Sequence, residues 1–244
     1  MKIVATIEAR MDSSRLPGKI LKEVYGKPML ERLVERVRRA KLIDEIVVAT
    51  TTAPNDQATV EACQKMGVKC FRGSSEDVLD RVLKAAQTHK ADLIVELTGD
   101  CPLLDPEIID SVISRYLENG YDYVSNVIER TFPRGMDTQV FSVKVLERVN
   151  RLTQDPVDHE HVSLYIYEHP ETFQLGNVAA PAELRRPELR LTVDTQEDLM
   201  LVREIYSRLY PAKPVFSLKD VIHLLDAELE LKDINAHIQQ KRVR

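Results

Sequence analysis

Ile3-Val4-Ala5-Thr6-Ile7 leads without a break into Glu8-Ala9-Arg10-Met11-Asp12-Ser13-Ser14-Arg15-Leu16-Pro17-Gly18-Lys19. The first five residues read as a strand buried on both faces, and that strand opens into a loop carrying three cations. Two serine hydroxyls, the backbone N–H groups of a tight Pro-Gly turn and the charges of Arg10, Arg15 and Lys19 can surround a polyanion with no side chain buried unpaired. Position favours this reading, because open α/β sheets bind ligands beyond the carboxyl ends of their strands. Surface ion pairs on a solvated loop are the alternative. The loop is neither a P-loop, since the run ending in Gly-Lys-Ser/Thr is missing, nor a dinucleotide fingerprint.

Outward from this stretch, strand-length apolar runs at 3–7, 45–50 and 93–97 alternate with amphipathic stretches at 28–40, 58–66, 75–89 and 106–118. Such alternation predicts an α/β fold with a mostly parallel central sheet and helices on both faces. Pro28 suits a first helical turn, and Pro54-Asn55-Asp56 offers a turn and cap for the next helix. Beyond Tyr121 the pattern loosens. Strands are expected near 123–126 and 138–141, helices at 143–152 and 159–168, and an extended run at 173–178. A strand at 190–193 is expected to return to the sheet, with Asp194-Thr195 capping a helix that runs to about Tyr210 and another helix at 218–225. Residues 1–244 are therefore expected to form a single domain, in which the less regular segment 121–189 covers the substrate pocket or mediates self-association.

Leu97-Thr98-Gly99-Asp100 and Leu191-Thr192-Val193-Asp194 each close an apolar run with a carboxylate. Two aspartates so placed can hold a divalent cation against a nucleoside triphosphate. A helix N-cap is the competing role for Asp194, and a polar turn residue for Asp100. The net charge of −5 argues against a general nucleic-acid or anionic-membrane surface. Cys63, Cys70 and Cys101 form no C-x-x-C pair and read as free thiols of a reducing cytoplasm. Neither a signal peptide nor a spanning run of about 18 apolar residues is seen. The basic tail Lys241-Arg242-Val243-Arg244 is too short to imply nucleic acid.

The run from Ile7-Glu8-Ala9-Arg10 to Arg15-Leu16-Pro17-Gly18-Lys19, the turn Gly99-Asp100-Cys101-Pro102-Leu103 and the segment Val193-Asp194-Thr195-Gln196-Glu197-Asp198-Leu199 resemble the cytidylyltransferases that activate acidic sugars. Those enzymes make CMP-Kdo and CMP-neuraminate, and the chain is most similar to their spore coat polysaccharide branch, from Ile3 to about Leu199. The resemblance implies a nucleotide-diphospho-sugar transferase fold of the GT-A-like, Rossmann-like kind, CTP as donor, Mg²⁺ as cofactor and a homodimer. It also implies that Asp100 and Asp194 are the metal ligands. Lys19 and Arg10 would then act on the phosphates, Lys19 as a movable charge and Arg10 as a fork. Ala9, Ser14, Arg15 and Thr98 join them in nucleotide binding, as do Ser75 and Arg81, for which an ordinary helix start with surface charges is an equal reading.

The acceptor implied is a 2-keto-3-deoxy acidic sugar for surface polysaccharide. Arg134 and Asp137, in Phe132-Pro133-Arg134-Gly135-Met136-Asp137, are candidates to meet its carboxylate, with a structural turn as the equal alternative. His161 is expected near the sugar pocket or a subunit interface. His159 and His161 are two apart and point apart on a helix, which disfavours a metal site there. Two other readings stand beside this one: a nucleotidyltransferase using a sugar phosphate or polyol phosphate, and a non-catalytic nucleotide-binding protein of the same fold.

Overall fold

The computed structural model describes residues 1–118 and 120–241; of the basic tail, residues 242–244 lie outside the described residues. The strands are β1 (Ile3–Glu8), β2 (Glu23–Val24), β3 (Lys27–Pro28), β4 (Glu45–Thr51), β5 (Lys69–Gly73), β6 (Leu93–Thr98), β7 (Tyr123–Ser125), β8 (Gln139–Ser142) and β9 (Leu175–Asn177). Seven of them form one sheet in the order β5-β4-β1-β6-β8-β7-β9, while β2 and β3 make a separate small hairpin. The β5-β4-β1-β6 half is parallel throughout. β8 runs antiparallel to β6 and to β7, and β9 is parallel to β7. The chain moves from β1 outward to β4 and β5, then returns to the other side of β1 as β6. That reversal opens a crevice beyond the carboxyl ends of β1 and β6, where ligands of such sheets bind.

Both faces are covered, as the continuous apolar strands require. Ile3, Ala5 and Ile7 of β1 join Val95 and Leu97 of β6 in a core with α1 (Met29–Val37), α4 (Pro106–Leu117), α8 (Gln196–Leu209) and α9 (Leu218–Ala227). On the other face Val4 packs with Val47, Ala49 and Ala85, and Ile94 with Val82 and Phe141. That face carries α3 (Val78–Thr88), α5 (Val143–Leu152), α6 (Pro156–Glu160) and α7 (Leu164–Glu168). Strand alternation therefore turns Thr6, Glu8 and Glu96 toward α3. α2 (Gln57–Met66) follows β4, and α10 (Glu230–Asp233) follows α9.

Several expectations are corrected. Residues 190–193 do not return to the sheet, because β8 already occupies the far edge of β6. They run extended between two loops instead: Leu191 N donates to Arg134 O at 2.8 Å and Val193 N to Asp100 O at 2.8 Å, with one isolated parallel bridge between Arg134 and Arg190. Gly135 makes this crossing possible. Its φ is +99°, and a Cβ there would lie 2.7 Å from the Leu191 carbonyl carbon. The helix expected over 159–168 is two short helices, α6 starting earlier at Pro156 behind the Asp155 cap, and they are separated by Val162 at φ +44°. β5, a half-buried edge strand without apolar alternation, has no counterpart in the sequence reading. Pro28 stands at the N-cap of α1 rather than inside it. Asp56 makes no side-chain cap to α2; its carboxylate accepts from Met11 N at 2.7 Å and ties the cationic loop to β4.

Candidate active site

The loop after β1 is closed by its own backbone: Gly18 N donates to Met11 O at 2.9 Å and Lys19 N to Leu16 O at 3.1 Å. This closure folds Lys19 back over the sheet crevice. On the facing side, Gly99 N donates to Glu8 O at 2.8 Å. A Cβ on Gly99 would lie 2.8 Å from that same oxygen, so only glycine lets β6 turn here and deliver Asp100. Lys19 Nζ then reaches Asp100 Oδ2 at 2.8 Å, Asp194 Oδ1 at 2.8 Å and the Val193 carbonyl at 2.8 Å.

Asp194 is freed for this role by its neighbours. Thr195, not Asp194, caps α8, in a capping box with Asp198. Asp198 is fully buried; its Oδ2 accepts from Asp194 N at 2.9 Å, and its Oδ1 from Arg190 Nε at 2.9 Å. Arg190 also reaches Asp194 Oδ2 at 2.7 Å, and Arg15 does so at 2.9 Å. Burial would raise the Asp194 pKa, but Lys19, Arg15 and Arg190 outweigh it and hold the carboxyl below its ordinary value. Burial likewise works against the Lys19 ammonium, yet the two aspartates raise its pKa. Both partners are charged, and together they form the polar floor of the crevice.

A cavity of about 580 Å³ opens above this floor. Ala9, Arg10, Ser14, Arg15, Lys19, Arg81, Thr98, Asp100, His161 and Asp194 all line it. Ser75 is not in that lining; its carbonyl accepts from Arg10 Nη1 at 3.3 Å and so steadies a residue that is. Arg134 and Asp137 are also outside the lining. Asp137 is engaged by Arg130 through a two-pronged pair at 2.7 and 2.8 Å, and Arg134 has its pKa lowered by burial and by the like charge of Arg130.

Residues that sequence reasoning missed complete the walls. Glu8, Val157, Glu160, Gln240 and Lys241 line the cavity. Glu8 carried a signal: a carboxylate closing a buried strand. Gln240 carried none, because only the tertiary fold brings it to Arg190. The histidine expected near the pocket is His161, while His159 faces away from the lining and pairs with Asp77 at 2.9 Å. Burial pushes the Glu8 carboxyl up to about 7, with Arg81 opposing and Asp100 adding to the shift, and burial with the nearby Glu8 pushes Glu96 well above the carboxylate range.

The donor set suits a divalent cation shared with phosphates. Two hard carboxylates from different elements already converge on one positive centre, the Lys19 ammonium. Among the described residues no group of three or more His, Cys, Asp or Glu side chains is gathered as a metal cage. Mg²⁺ needs no such cage, since substrate phosphates and water complete its octahedron. Among the described residues no helix is long and apolar enough to cross a membrane, and Cys63, Cys70 and Cys101 are all free thiols.

Comparison with known proteins agrees with this geometry. Residues 4–243 match the family model described as cytidylyltransferase. The chain is 36% identical to the spore coat polysaccharide biosynthesis protein SpsF of Bacillus subtilis, over 92% of this chain and 94% of that protein. It is 32% identical to a 3-deoxy-manno-octulosonate cytidylyltransferase of Geobacter metallireducens, over 75% of this chain and 82% of that one. The solved structure of a cytidylyltransferase from Leptospira borgpetersenii superposes with a TM-score of 0.91 at 34% identity, covering 99% of this chain and all of the other. The chain thus belongs to the cytidylyltransferase family and is a CTP-dependent nucleotidyltransferase, the reading to which its opening loop first pointed.

Proposed function

We propose that the protein couples CTP to a 2-keto-3-deoxy acidic sugar, giving a CMP-sugar and pyrophosphate for surface polysaccharide. The observation that carries this reading is the meeting of Lys19, Asp100 and Asp194 at the base of a cavity rimmed by Arg10, Ser14 and Arg15. The name of the Geobacter relative supports the acidic-sugar acceptor, and that of the Bacillus relative supports the polysaccharide role. In the reaction, the anomeric hydroxyl oxygen forms a bond to the α-phosphorus as the α–β bridging bond breaks. The leaving pyrophosphate takes that electron pair, and the hydroxyl proton passes to solvent.

The chain's contribution is positioning and charge. Lys19 is a mobile point charge able to follow the β and γ phosphates, and Arg10 forks onto oxygens that gain charge as pyrophosphate departs. Arg15 and Arg190 hold Asp194 in place. Asp100 and Asp194 would hold Mg²⁺, which when bound neutralises the triphosphate and polarises the attacked phosphorus. Ala9 and Thr98 border the nucleotide, with Ser75 acting through Arg10. His161 and Glu160 form the acceptor wall, and Arg134 and Asp137 stand behind it on the acceptor side. The working form is a cytoplasmic homodimer of single-domain chains.

A pyrophosphate-release screen with CTP, Mg²⁺ and a panel of 2-keto-3-deoxy sugar acids tests the reading. Release with at least one of them is expected. Release only with a sugar phosphate or polyol phosphate would replace the acceptor class, and no release with any acceptor would favour a nucleotide-binding role without turnover.

A further inference from the structure

Four buried polar atoms at the α3 face lack partners among the described residues: Thr6 Oγ1, Glu8 Oε1, Glu96 Oε2 and Arg81 Nε. Glu8 and Arg81 both line the nucleotide cavity. Arg81 is only 2% exposed, and its Nη1 is committed to the Ser74 carbonyl. A guanidinium N–H held that deep without an acceptor carries a desolvation cost that a bound ligand or water would relieve. Glu8 and Arg81 attract each other electrostatically, yet no ion pair joins them. The two residues that carry this unpartnered donor and this unpartnered acceptor thus border the same space.

Their pattern has a chemical complement. The edge of cytosine offers two acceptors, O2 and N3, and one donor, the 4-amino group. Uracil reverses the last two, setting an oxygen where cytosine has its amine. A carboxylate beside an arginine repeats the donor–acceptor order with which guanine pairs to cytosine.

Resting on the cytidylyl-transfer reading above, we propose that Glu8 is the residue that selects cytosine, its unpartnered oxygen accepting from the 4-amino group while Arg81 Nε donates to the O2/N3 edge. Glu96 lies on the same face of the adjacent strand, in contact with Gln139 and Ser163. It keeps the floor beneath Glu8 polar and acts as a positioning residue. Against the ionised Glu8 carboxylate, a uracil base would set its O4 with no proton between the two oxygens, which is the kind of mismatch that gives strong discrimination.

Nucleotide binding, measured by calorimetry with Mg²⁺ and no sugar, tests this without reference to the acceptor. The probes are CTP, UTP and the triphosphate of the pyrimidin-2-one ribonucleoside, which lacks the amine. The wild-type protein is expected to bind CTP at least about ten-fold more tightly than either of the others. In Glu8→Gln, whose amide can turn oxygen or nitrogen to the base, the CTP/UTP ratio should fall by about ten-fold or more while CTP still binds. Equal wild-type binding of CTP and the pyrimidinone analogue would overturn the inference, as would an unchanged ratio in Glu8→Gln. Should that variant fail to fold, the wild-type comparison decides alone. Loss of pyrophosphate release with every acidic sugar would instead remove the acceptor assignment and leave this result standing.

Discussion

Lys19 and Asp194 stand 175 residues apart in sequence and 2.8 Å apart in space, and the same ammonium meets Asp100 at an equal distance. One cation therefore bridges the first loop of the chain to carboxylates from two later segments. The cluster stays this compact because Arg15 and Arg190 share the second oxygen of Asp194.

Asp100→Asn and Asp194→Asn are each expected to lower pyrophosphate release by about 100-fold or more, in line with losing one of the two carboxylates that would hold Mg²⁺ against the triphosphate. Circular dichroism should show both variants folded. Turnover within a few-fold of wild type in either one would remove that residue from metal binding.

Lys19→Met leaves two part-buried carboxylates facing each other without their shared cation. In metal-free buffer its melting temperature should fall, since like charges so close raise the free energy of the folded state. Added Mg²⁺ should restore more of the melting temperature in the variant than it adds to wild type, by mass action on the native state. An equal response in both proteins would place the ion elsewhere.

Arg190→Met should destabilise the fold by about 3–5 kcal/mol, because it strands Asp198 as a buried charge whose other contacts are neutral donors. Urea unfolding checks this, and a loss below about 1 kcal/mol would show that Asp198 reaches water once Arg190 is gone.

Gly135 and Gly120 separate two costs. Both have positive φ, +99° and +94°, but a Cβ on Gly120 would meet nothing within 4 Å, whereas on Gly135 it would strike the Leu191 backbone at 2.7 Å. Gly120→Ala should cost about 1 kcal/mol, the backbone penalty alone. Gly135→Ala should cost at least about twice that and slow turnover as well, because the displaced extended segment leads into Asp194. Equal unfolding midpoints for the two would argue that the 189–194 segment yields easily.

His159 links α6 to the start of α3 through Asp77, with its other ring nitrogen 3.1 Å from the Thr153 carbonyl. Burial works against the imidazolium, but Asp77 and Thr153 favour it, and its pKa is raised above 6.5. A raised folded-state value means the stabilisation is complete below the unfolded value of 6.5 and is lost as pH rises through the folded one. The difference in melting temperature between wild type and His159→Gln should therefore be largest at about pH 5.5 and shrink toward about pH 8.5. A gap that widens with pH would show that the neutral ring is the one the fold favours.

Much of this arrangement was legible in the sequence, for local physical reasons. The runs 3–7 and 93–97, which become Ile3–Glu8 and Leu93–Thr98 in the structure, are read from continuous apolar residues, and Lys19, Asp100 and Asp194 from charges placed after such runs. What was hidden depends on competition between segments. Residues 190–193 have the pattern of a strand, and nothing local reveals that β8 has taken the neighbouring edge. The break at Val162 is equally silent, since a β-branched residue gives no warning of positive φ. Ser75 and Arg10 show the same limit on a smaller scale: both are nucleotide-binding candidates in the sequence, but only the fold makes one the support of the other.

The strand order has a consequence for how such a protein can diversify. Apart from Asp194, the charged groups proposed to grip the triphosphate come from the first 118 residues, whereas Val157, Glu160 and His161 reach the cavity from a segment that enters the sheet on the opposite flank. Mutation can remodel one flank while the other keeps its shape. A lineage built this way can change the molecule it activates without rebuilding its grip on the energy source.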